Sequence, residues 1–237
     1  VVEIAVRALK IGGVLVFPTE TAYGLAADAG NKKAIEKIYK IKGRMASKFL
    51  PLIVGSLEQM QEFFELNKKE LELVRKYKGL TIILKGKRQK AKGKSEIQNS
   101  KVNKLYLLPG QKTCAVRISK YKLARELALG LGRPITATSA NVSGGENCYS
   151  VEDVLRQLKK TIPLCPDSAP LHRDTPPKLG GDIIDLIIDG GKLPKRKPST
   201  IVKVEGSKVE VVRQGDALYT ATLFNNTFLG KGPGTFL

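Results

Sequence analysis

The segment FPTETAYGL, Phe17 to Leu25, decides how the rest of the chain is interpreted. It overlaps the end of VLVF, residues 14–17, a short apolar run that predicts a buried strand. The strand meets Pro18, and two threonines, a glutamate and a tyrosine come before Gly24. A turn alone does not require so many polar side chains. We therefore interpret this segment as one side of a binding site.

Helix and strand patterns alternate on the C-terminal side of this segment, as they do before it. Predicted helices cover residues 2–13, 31–43, 56–64, 67–77, 121–132 and 150–160. Predicted strands cover residues 14–17, 50–55, 80–84, 114–118, 134–139, 182–189, 199–204 and 208–213, the last two forming a hairpin. Asn31 is a good N-cap, and Ser56 with Gln59 and Asn67 with Glu70 match capping boxes. These patterns predict an α/β fold with a mixed sheet.

The composition sets the size and the charge of the molecule. A chain of 237 residues accommodates one large domain, or a domain with a small appendage. The net charge of +19 has two interpretations: a lysine-rich surface that maintains solubility, or a polyanionic partner such as a nucleotide or RNA.

Several classes of protein are disfavoured. The longest apolar runs are strand-length, which argues against a membrane span, and no early stretch matches a signal peptide. Cys114, Cys148 and Cys165 lack metal-ligand spacing, so we expect free thiols and a cytoplasmic protein. His172 is the only histidine and lies among prolines and polar residues, which argues against a histidine triad or a zinc site.

One segment differs clearly in composition from the rest. Lys85 to Lys104 has eight bases against one acid and almost no apolar residues, which predicts a mobile basic loop. It contains GKS at 93–95, but Arg88 replaces the glycine that a Walker motif needs, so we reject that motif. We therefore predict a domain over residues 1–216 with this loop inserted, followed by a tail over residues 217–237.

Polar and cationic side chains cluster where the predicted strands end. They are Thr19, Glu20, Thr21, Tyr23, Thr136, Thr138, Ser139, Asn141, Ser199, Thr200 and Arg213, with Lys42, Arg44 and Lys48 after the second helix and Arg117 inside a strand. Groups at strand ends of an α/β sheet commonly converge on one crevice. Arginine forks bind carboxylates or phosphates. Such a site, without a histidine or cysteine nucleophile, suits phosphate chemistry by positioning and charge neutralisation.

Each of these features also has an ordinary structural explanation. Thr19 and Thr21 are typical turn formers, and the cations after the second helix are typical of a helix C-terminus. Arg117 is the hardest to explain in this way, because an unpaired buried charge is costly. Exposure at a sheet edge or a structural carboxylate partner remains open for it.

Seven segments in a fixed order carry a family resemblance. They are FPTETAYGLAADA, IYKIKGR with Lys48, AVRI, TATSANVSGG, IIDGG, STIVKV and VVRQG. From Val14 to Gly215 the chain resembles the YrdC-like family, the threonylcarbamoyl-adenylate synthases. It departs from the family pattern at Met45, Ile53, Lys78 to Thr81 and Pro198.

This resemblance implies a fold and a reaction. The fold would be a YrdC-like twisted mixed sheet with flanking helices and a positively charged concave face. The reaction would condense L-threonine, bicarbonate and ATP, with Mg²⁺ on the phosphates, into threonylcarbamoyl-AMP and pyrophosphate. A partner transferase would then modify a tRNA adenosine. We expect the single-domain form, because the chain ends before the second domain of the long form.

The resemblance also implies roles for individual residues. Those expected to contact threonine are Thr21, Arg117, Ser139 and Ser199, and those expected to contact ATP are Arg44, Lys48, Thr113, Asn141 and Arg213. Arg44, Lys48 and Arg117 would be catalytic, and no protein residue would ligate a metal.

Two alternatives remain open. In the first, the chain is a carbamoyl-adenylate-forming enzyme that uses carbamoyl phosphate, as the related hydrogenase-maturation domains do. A non-catalytic module that binds double-stranded RNA or tRNA would instead use the basic loop and the positive face.

Overall fold

The computed structural model describes residues 1–43, 49–87, 105–106, 111–158 and 184–215. The helices there are α1 (Val2–Lys10), α2 (Lys32–Lys42), α3 (Leu57–Phe63), α4 (Lys68–Lys76), α5 (Lys122–Leu131) and α6 (Val151–Leu158). The strands are β1 (Leu15–Pro18), β2 (Tyr23–Ala26), β3 (Leu52–Val54), β4 (Phe64–Glu65), β5 (Thr81–Gly86), β6 (Thr113–Ile118), β7 (Ile135–Thr136), β8 (Thr138–Ser139), β9 (Leu186–Ile187), β10 (Ile201–Glu205) and β11 (Lys208–Arg213).

The strands form two mixed sheets. A four-stranded sheet has the order β8-β2-β1-β9, and a seven-stranded sheet has the order β11-β10-β5-β6-β3-β7 with β4 paired to β5. In the first, β1 is antiparallel to β2 and parallel to β9. In the second, β6 is antiparallel to β5 and parallel to β3. The predicted mixed α/β fold with flanking helices is confirmed, whereas the charge of its concave face stays a prediction.

The segment 134–139 is not the single strand that its sequence predicts. Residues Ile135–Thr136 pair with β3 in the larger sheet, and residues Thr138–Ser139 pair with β2 in the smaller one. The chain changes sheets at Ala137, whose N–H donates to the Pro51 carbonyl at 2.8 Å. Strand propensity cannot detect such a change, because each half obtains its ladder bonds from a different partner. The change brings Ser139 beside the β1–β2 hairpin.

Two other boundaries differ from the sequence prediction. In the predicted strand 182–189, regular pairing is confined to Leu186–Ile187 within the described part, which begins at residue 184. β5 extends through Gly86, two residues into the segment assigned to the basic loop, because Lys85 pairs with Thr113 and with Glu65. The rest of that segment from residue 88, and the predicted tail 217–237, lie outside the described residues.

The helix ends follow their capping residues. Asn31 Oδ1 accepts from the Ala34 N–H at 3.2 Å, and α2 ends at Gly43 with a left-handed φ of 58°. The capping box of Asn67 and Glu70 is confirmed. At Ser56 only half of the predicted box forms: its hydroxyl accepts from the Gln59 N–H, but the Gln59 side chain turns to the Gly55 N–H instead.

Three apolar clusters hold the layers together. One packs β1 and β2 against α2 and α6, and another packs α3 and α4 on the outer face of the larger sheet. The third joins α1 and α5 to both sheets through Phe17 of β1 and Ile53 of β3. Because this layer contacts both sheets, its packing sets the distance between them.

No helix in the described ranges reaches the length and apolarity that a membrane crossing requires.

The packing predicts different costs for two leucines of α5. Leu127 is fully buried in the layer that joins the sheets, whereas Leu129 is 50% exposed. We expect Leu127→Ala to lower the free energy of unfolding by about 2–5 kcal/mol and Leu129→Ala by about 0.5 kcal/mol or less. Urea denaturation measures both, and equal losses would contradict this arrangement of the core.

Candidate active site

The turn between β1 and β2 uses one of its threonines to hold its own shape. The buried Thr19 hydroxyl donates to the Ala22 carbonyl at 2.7 Å and accepts from the N–H groups of Thr21 and Ala22. Thr21 is only partly buried, and its hydroxyl lies 3.2 Å from that of Thr19. Thr19 is therefore a turn former, and Thr21 is the hydroxyl that the turn presents.

Glu20, between these threonines, faces Arg117 of β6. Arg117 is 8% exposed, and its Nη1 lies 3.6 Å from Glu20 Oε1. The Ser119 hydroxyl donates to Glu20 Oε2 at 2.5 Å. A carboxylate partner for the strand arginine is thus present, one of the explanations that the sequence left open. Glu20 Oε1 and Arg117 Nε are nevertheless buried without a hydrogen bond.

The environment of Glu20 favours its ionised form. Burial acts to raise the pKa of this carboxyl, but the charge of Arg117, the Ser119 hydrogen bond and smaller contributions outweigh it. The net result is a pKa below the usual value, so Glu20 is a carboxylate at neutral pH.

A second arginine approaches Arg117 from the end of the larger sheet. The Arg213 guanidinium donates to the Ser199 carbonyl at 2.8 and 3.2 Å, and the Ser199 hydroxyl lies 2.9 Å from that of Thr81. Partial burial of its guanidinium, and after it the charge of Arg117, lower the pKa of Arg213. We refer to Glu20, Thr81, Arg117, Ser199 and Arg213 as the arginine cluster.

The sheet register explains why these residues meet. Arg213 and Thr81 both pair with Ile201, which places them in one row across β11, β10 and β5. Ile82 pairs with Val116, so Thr81 lies opposite Arg117 one step along the ladder. Side chains in one row project from the same face of a sheet.

A lysine forms a second cluster at the end of α2. Lys42 is 3% exposed, and its Nζ donates to the Ser139 carbonyl at 2.8 Å and to Asn141 Oδ1 at 2.6 Å. The Ser139 hydroxyl also donates to Asn141 Oδ1, at 2.7 Å. Asn141 Nδ2 in turn donates to the Gly145 carbonyl at 2.6 Å. We refer to Lys42, Ser139 and Asn141 as the lysine cluster.

The β1–β2 hairpin contacts both clusters. Its turn provides Glu20 to the arginine cluster, and Gly24 of β2 pairs with Ser139 of the lysine cluster. Six predicted site residues are therefore in this region. Thr21 lies in the turn of the hairpin, and Ser139 and Asn141 belong to the lysine cluster. The arginine cluster contains Arg117, Ser199 and Arg213. Thr113 is exposed four residues before Arg117, on the same face of β6. The predicted Arg44 and Lys48 lie outside the described residues.

The sequence analysis included Lys42 among the cations after the second helix but assigned no ligand to it, and it did not consider Thr81 as a site residue. Lys42 follows Ile35, Ile38 and Tyr39 at helical spacing, and all three are buried. That periodicity already assigns Lys42 to the buried face of α2, which is an unusual position for a lysine. Thr81 begins a strand and gave no comparable signal.

Tyr23 contributes to the site by fixing a loop. Its buried hydroxyl accepts from the Gly190 N–H at 2.9 Å and lies 2.8 Å from the Gly191 carbonyl and 3.1 Å from Asp189 Oδ1. Burial raises the pKa of Tyr23 to about 12, so the hydroxyl keeps its proton. This loop leads towards Ser199.

The described residues do not fit a metal site held by the protein. They contain no group of three or more histidine, cysteine or acidic side chains placed for metal binding. Glu20 is the carboxylate of the arginine cluster, and its two oxygens face Arg117 and Ser119. Magnesium in proteins prefers accessible carboxylates together with substrate phosphates.

A hollow of about 450 Å³ elsewhere on the surface carries no comparable chemistry. It is lined by Lys68, Leu71, Glu72, Arg75 and Lys76, all of α4. One side of a single helix cannot enclose a substrate, so we assign no function to it.

Comparison with known proteins agrees with this architecture. The family model Sua5/YciO/YrdC, described as "Telomere recombination", matches residues 7–177. The threonylcarbamoyl-AMP synthase of Vibrio vulnificus strain YJ016 is 34% identical over 158 residues, covering 66% of this chain and 80% of the relative. The threonylcarbamoyl-AMP synthase of Vibrio campbellii is 28% identical over 219 residues, covering 90% of this chain and 98% of the relative.

Among solved structures, the chain resembles P. abyssi Sua5 complexed with L-threonine. The TM-score is 0.67 at 26% identity over 90% of this chain. The matched part is 54% of the Sua5 chain, so this chain spans about half the length of that protein. Because the family model matches well over half of its residues, the chain belongs to the Sua5/YciO/YrdC family.

Proposed function

We propose that this chain is an L-threonylcarbamoyladenylate synthase. It would condense L-threonine, bicarbonate and ATP into threonylcarbamoyl-AMP and pyrophosphate. The names of the two Vibrio relatives and the threonine complex of Sua5 support this assignment. The observation that carries it is that two cationic clusters contact the β1–β2 hairpin, one at its turn and the other along β2. Such an arrangement suits a reaction that must hold two anions next to each other.

The arginine cluster is the proposed site of threonine. Arg117 would bind the carboxylate through its guanidinium fork. Thr21 and Ser199 offer hydroxyl groups from the hairpin turn and from the start of β10, and Ser139 would contact threonine from the lysine cluster. Because the Arg117 guanidinium is buried, it attracts a carboxylate much more strongly than an exposed guanidinium does.

The lysine cluster is the proposed start of the ATP site. Lys42 and Asn141 would contact the nucleotide, with Arg213 and Thr113 on the side of the larger sheet. Arg44 and Lys48 follow the end of α2, where Lys42 already lies, and we propose them as further phosphate contacts. With Arg117, which would hold the threonine carboxylate, they form the proposed catalytic set. Arg44, Lys48 and Arg213 would neutralise the charge that develops on pyrophosphate.

The reaction then requires no covalent enzyme intermediate. The amine nitrogen of threonine forms a bond to the carbon of CO₂ and loses a proton, or to the carbon of bicarbonate with loss of one water, and either route gives a carbamate. A carbamate oxygen attacks the α-phosphorus of ATP, and the bond to pyrophosphate breaks in line. Magnesium would enter as part of the MgATP substrate. The residues named here position both anions and exclude water from the unstable carbamate.

The product would pass to a transferase that modifies a tRNA adenosine. We place this function in the cytoplasm, to which the free thiols of Cys114 and Cys148 are suited. We also propose that this chain contacts tRNA directly.

One prediction of the proposed function concerns the substrate dependence of the reaction. Pyrophosphate release should require both L-threonine and bicarbonate. Arg117→Ala should lower kcat/KM for threonine by about 10- to 150-fold, because one charge-assisted contact contributes about 1.5–3 kcal/mol. Arg75→Ala, on the exposed surface of α4, is the matched control. A coupled pyrophosphate assay measures both variants.

The same assay separates the alternatives. Pyrophosphate release that does not depend on threonine contradicts the synthase. Release supported by carbamoyl phosphate in place of threonine would identify a carbamoyl-adenylate-forming enzyme instead.

Another prediction of the proposed function concerns Lys42. Lys42→Met removes the buried cation and leaves the Ser139 carbonyl and Asn141 Oδ1 without this donor, so the affinity for a non-hydrolysable ATP analogue should fall about tenfold or more. Lys40→Met, two residues earlier and exposed, should bind the analogue like the wild type. Calorimetry measures both affinities, and equal values for the two variants would remove Lys42 from the proposed ATP site.

The net charge of +19 supports RNA binding as a second candidate function. If the basic surface binds RNA, the affinity should fall steeply and linearly with salt on a logarithmic scale. Filter binding of tRNA between low and physiological salt tests this. RNA binding would replace the synthase only if calorimetry detected no binding of ATP or threonine.

A further inference from the structure

We propose that Glu20 determines the charge of the ligand that the arginine cluster accepts. By cancelling one of two guanidinium charges, it matches the cluster to a singly charged carboxylate and disfavours a doubly charged group such as a phosphonate. The inference rests on the proposed function, in which Arg117 binds the threonine carboxylate.

The charges of the arginine cluster carry the first step. Its charged members are the guanidinium groups of Arg117 and Arg213 and the carboxylate of Glu20, and Thr81 and Ser199 are neutral. The cluster as defined therefore has an excess of one positive charge, which one carboxylate neutralises. Arg213 is exposed but is held in the cluster by its hydrogen bonds to the Ser199 carbonyl, whereas Lys120, which is exposed and also influences Glu20, lies outside the cluster as defined.

The accessibility of Glu20 carries the second step. Its side chain is 12% exposed, its Oε1 is buried, and its Oε2 accepts from Ser119. Oε1 is therefore closed to a ligand, and Oε2 already has a donor. Glu20 acts through Arg117, as a positioning and charge-setting residue.

The burial of the pair carries the third step. Glu20 Oε1 and Arg117 Nη1 are 3.6 Å apart, and both side chains are about nine-tenths buried. At this separation and under this burial, unit charges interact far more strongly than they do in water. Removing the carboxylate charge should therefore change the preference between a singly and a doubly charged ligand by about tenfold or more.

The experiment compares two ligands that differ only in the anionic group. They are L-threonine and its phosphonic acid analogue, 1-amino-2-hydroxypropylphosphonate, which carries two negative charges on phosphorus at pH 8. Calorimetry on the full chain without nucleotide, so that no phosphate engages Arg213, gives the ratio of their dissociation constants. Thermal melting checks that each variant is folded.

The wild type should prefer L-threonine. Glu20→Gln should shift the ratio towards the phosphonate by about tenfold or more, whereas Glu20→Asp should keep the wild-type ratio because it keeps the charge. Glu72→Gln is the matched control: it removes one charge from the exposed surface of α4, where Glu72 pairs with Lys69. It should bind both ligands like the wild type.

Several results would overturn the inference. If Glu20→Gln weakens both ligands equally, its role is structural; if Glu20→Asp shifts the ratio as Glu20→Gln does, geometry rather than charge is responsible. Should Glu20→Gln not fold, Arg213→Gln provides the test, because removing a positive charge must shift the ratio towards threonine. A wild type that binds no threonine overturns the proposed function and this inference together, whereas threonine binding with an unchanged ratio overturns the inference alone.

Discussion

The structure depends on a buried guanidinium within a sheet and on the carboxylate that faces it. Arg117 lies in β6 of the larger sheet, and Glu20 lies in the turn that joins two strands of the smaller one. A buried charge is tolerated when it has a partner, so the turn must approach β6 closely. The ion pair therefore connects the two sheets at the same place where the apolar layer of α1 and α5 joins them. The ion pair between Glu20 and Arg117 therefore constrains both the fold and the site.

The polar groups around this pair divide into those that build the site and those that it presents. Thr19 and Tyr23 use their hydroxyl groups on the backbone of the turn and of a neighbouring loop. Thr21 and Ser199 lie at the edge of the network and keep partial exposure. Residues of one short motif thus have different tasks, and the hydrogen-bond partners of each side chain distinguish them.

The sequence predicted most of the elements and part of the site, and the differences have physical causes. Local signals were sufficient for α2, because Asn31 and Gly43 define its two ends. They failed at residues 134–139, where β7 and β8 belong to different sheets, because pairing partners are not encoded locally. Helical periodicity could have identified Lys42, whereas Thr81 enters the site only through its register with β6 and β10.

The position of Lys42 in the last turn of α2 limits how the chain can vary in length. Each residue of an α-helix rotates the next side chain by about 100° and advances it by about 1.5 Å. An insertion or deletion between Asn31 and Lys42 would turn the ammonium group away from Ser139 and Asn141, or move an isoleucine into its place. Homologous chains should therefore tolerate substitutions along the outer face of α2 far better than any change in the number of its residues.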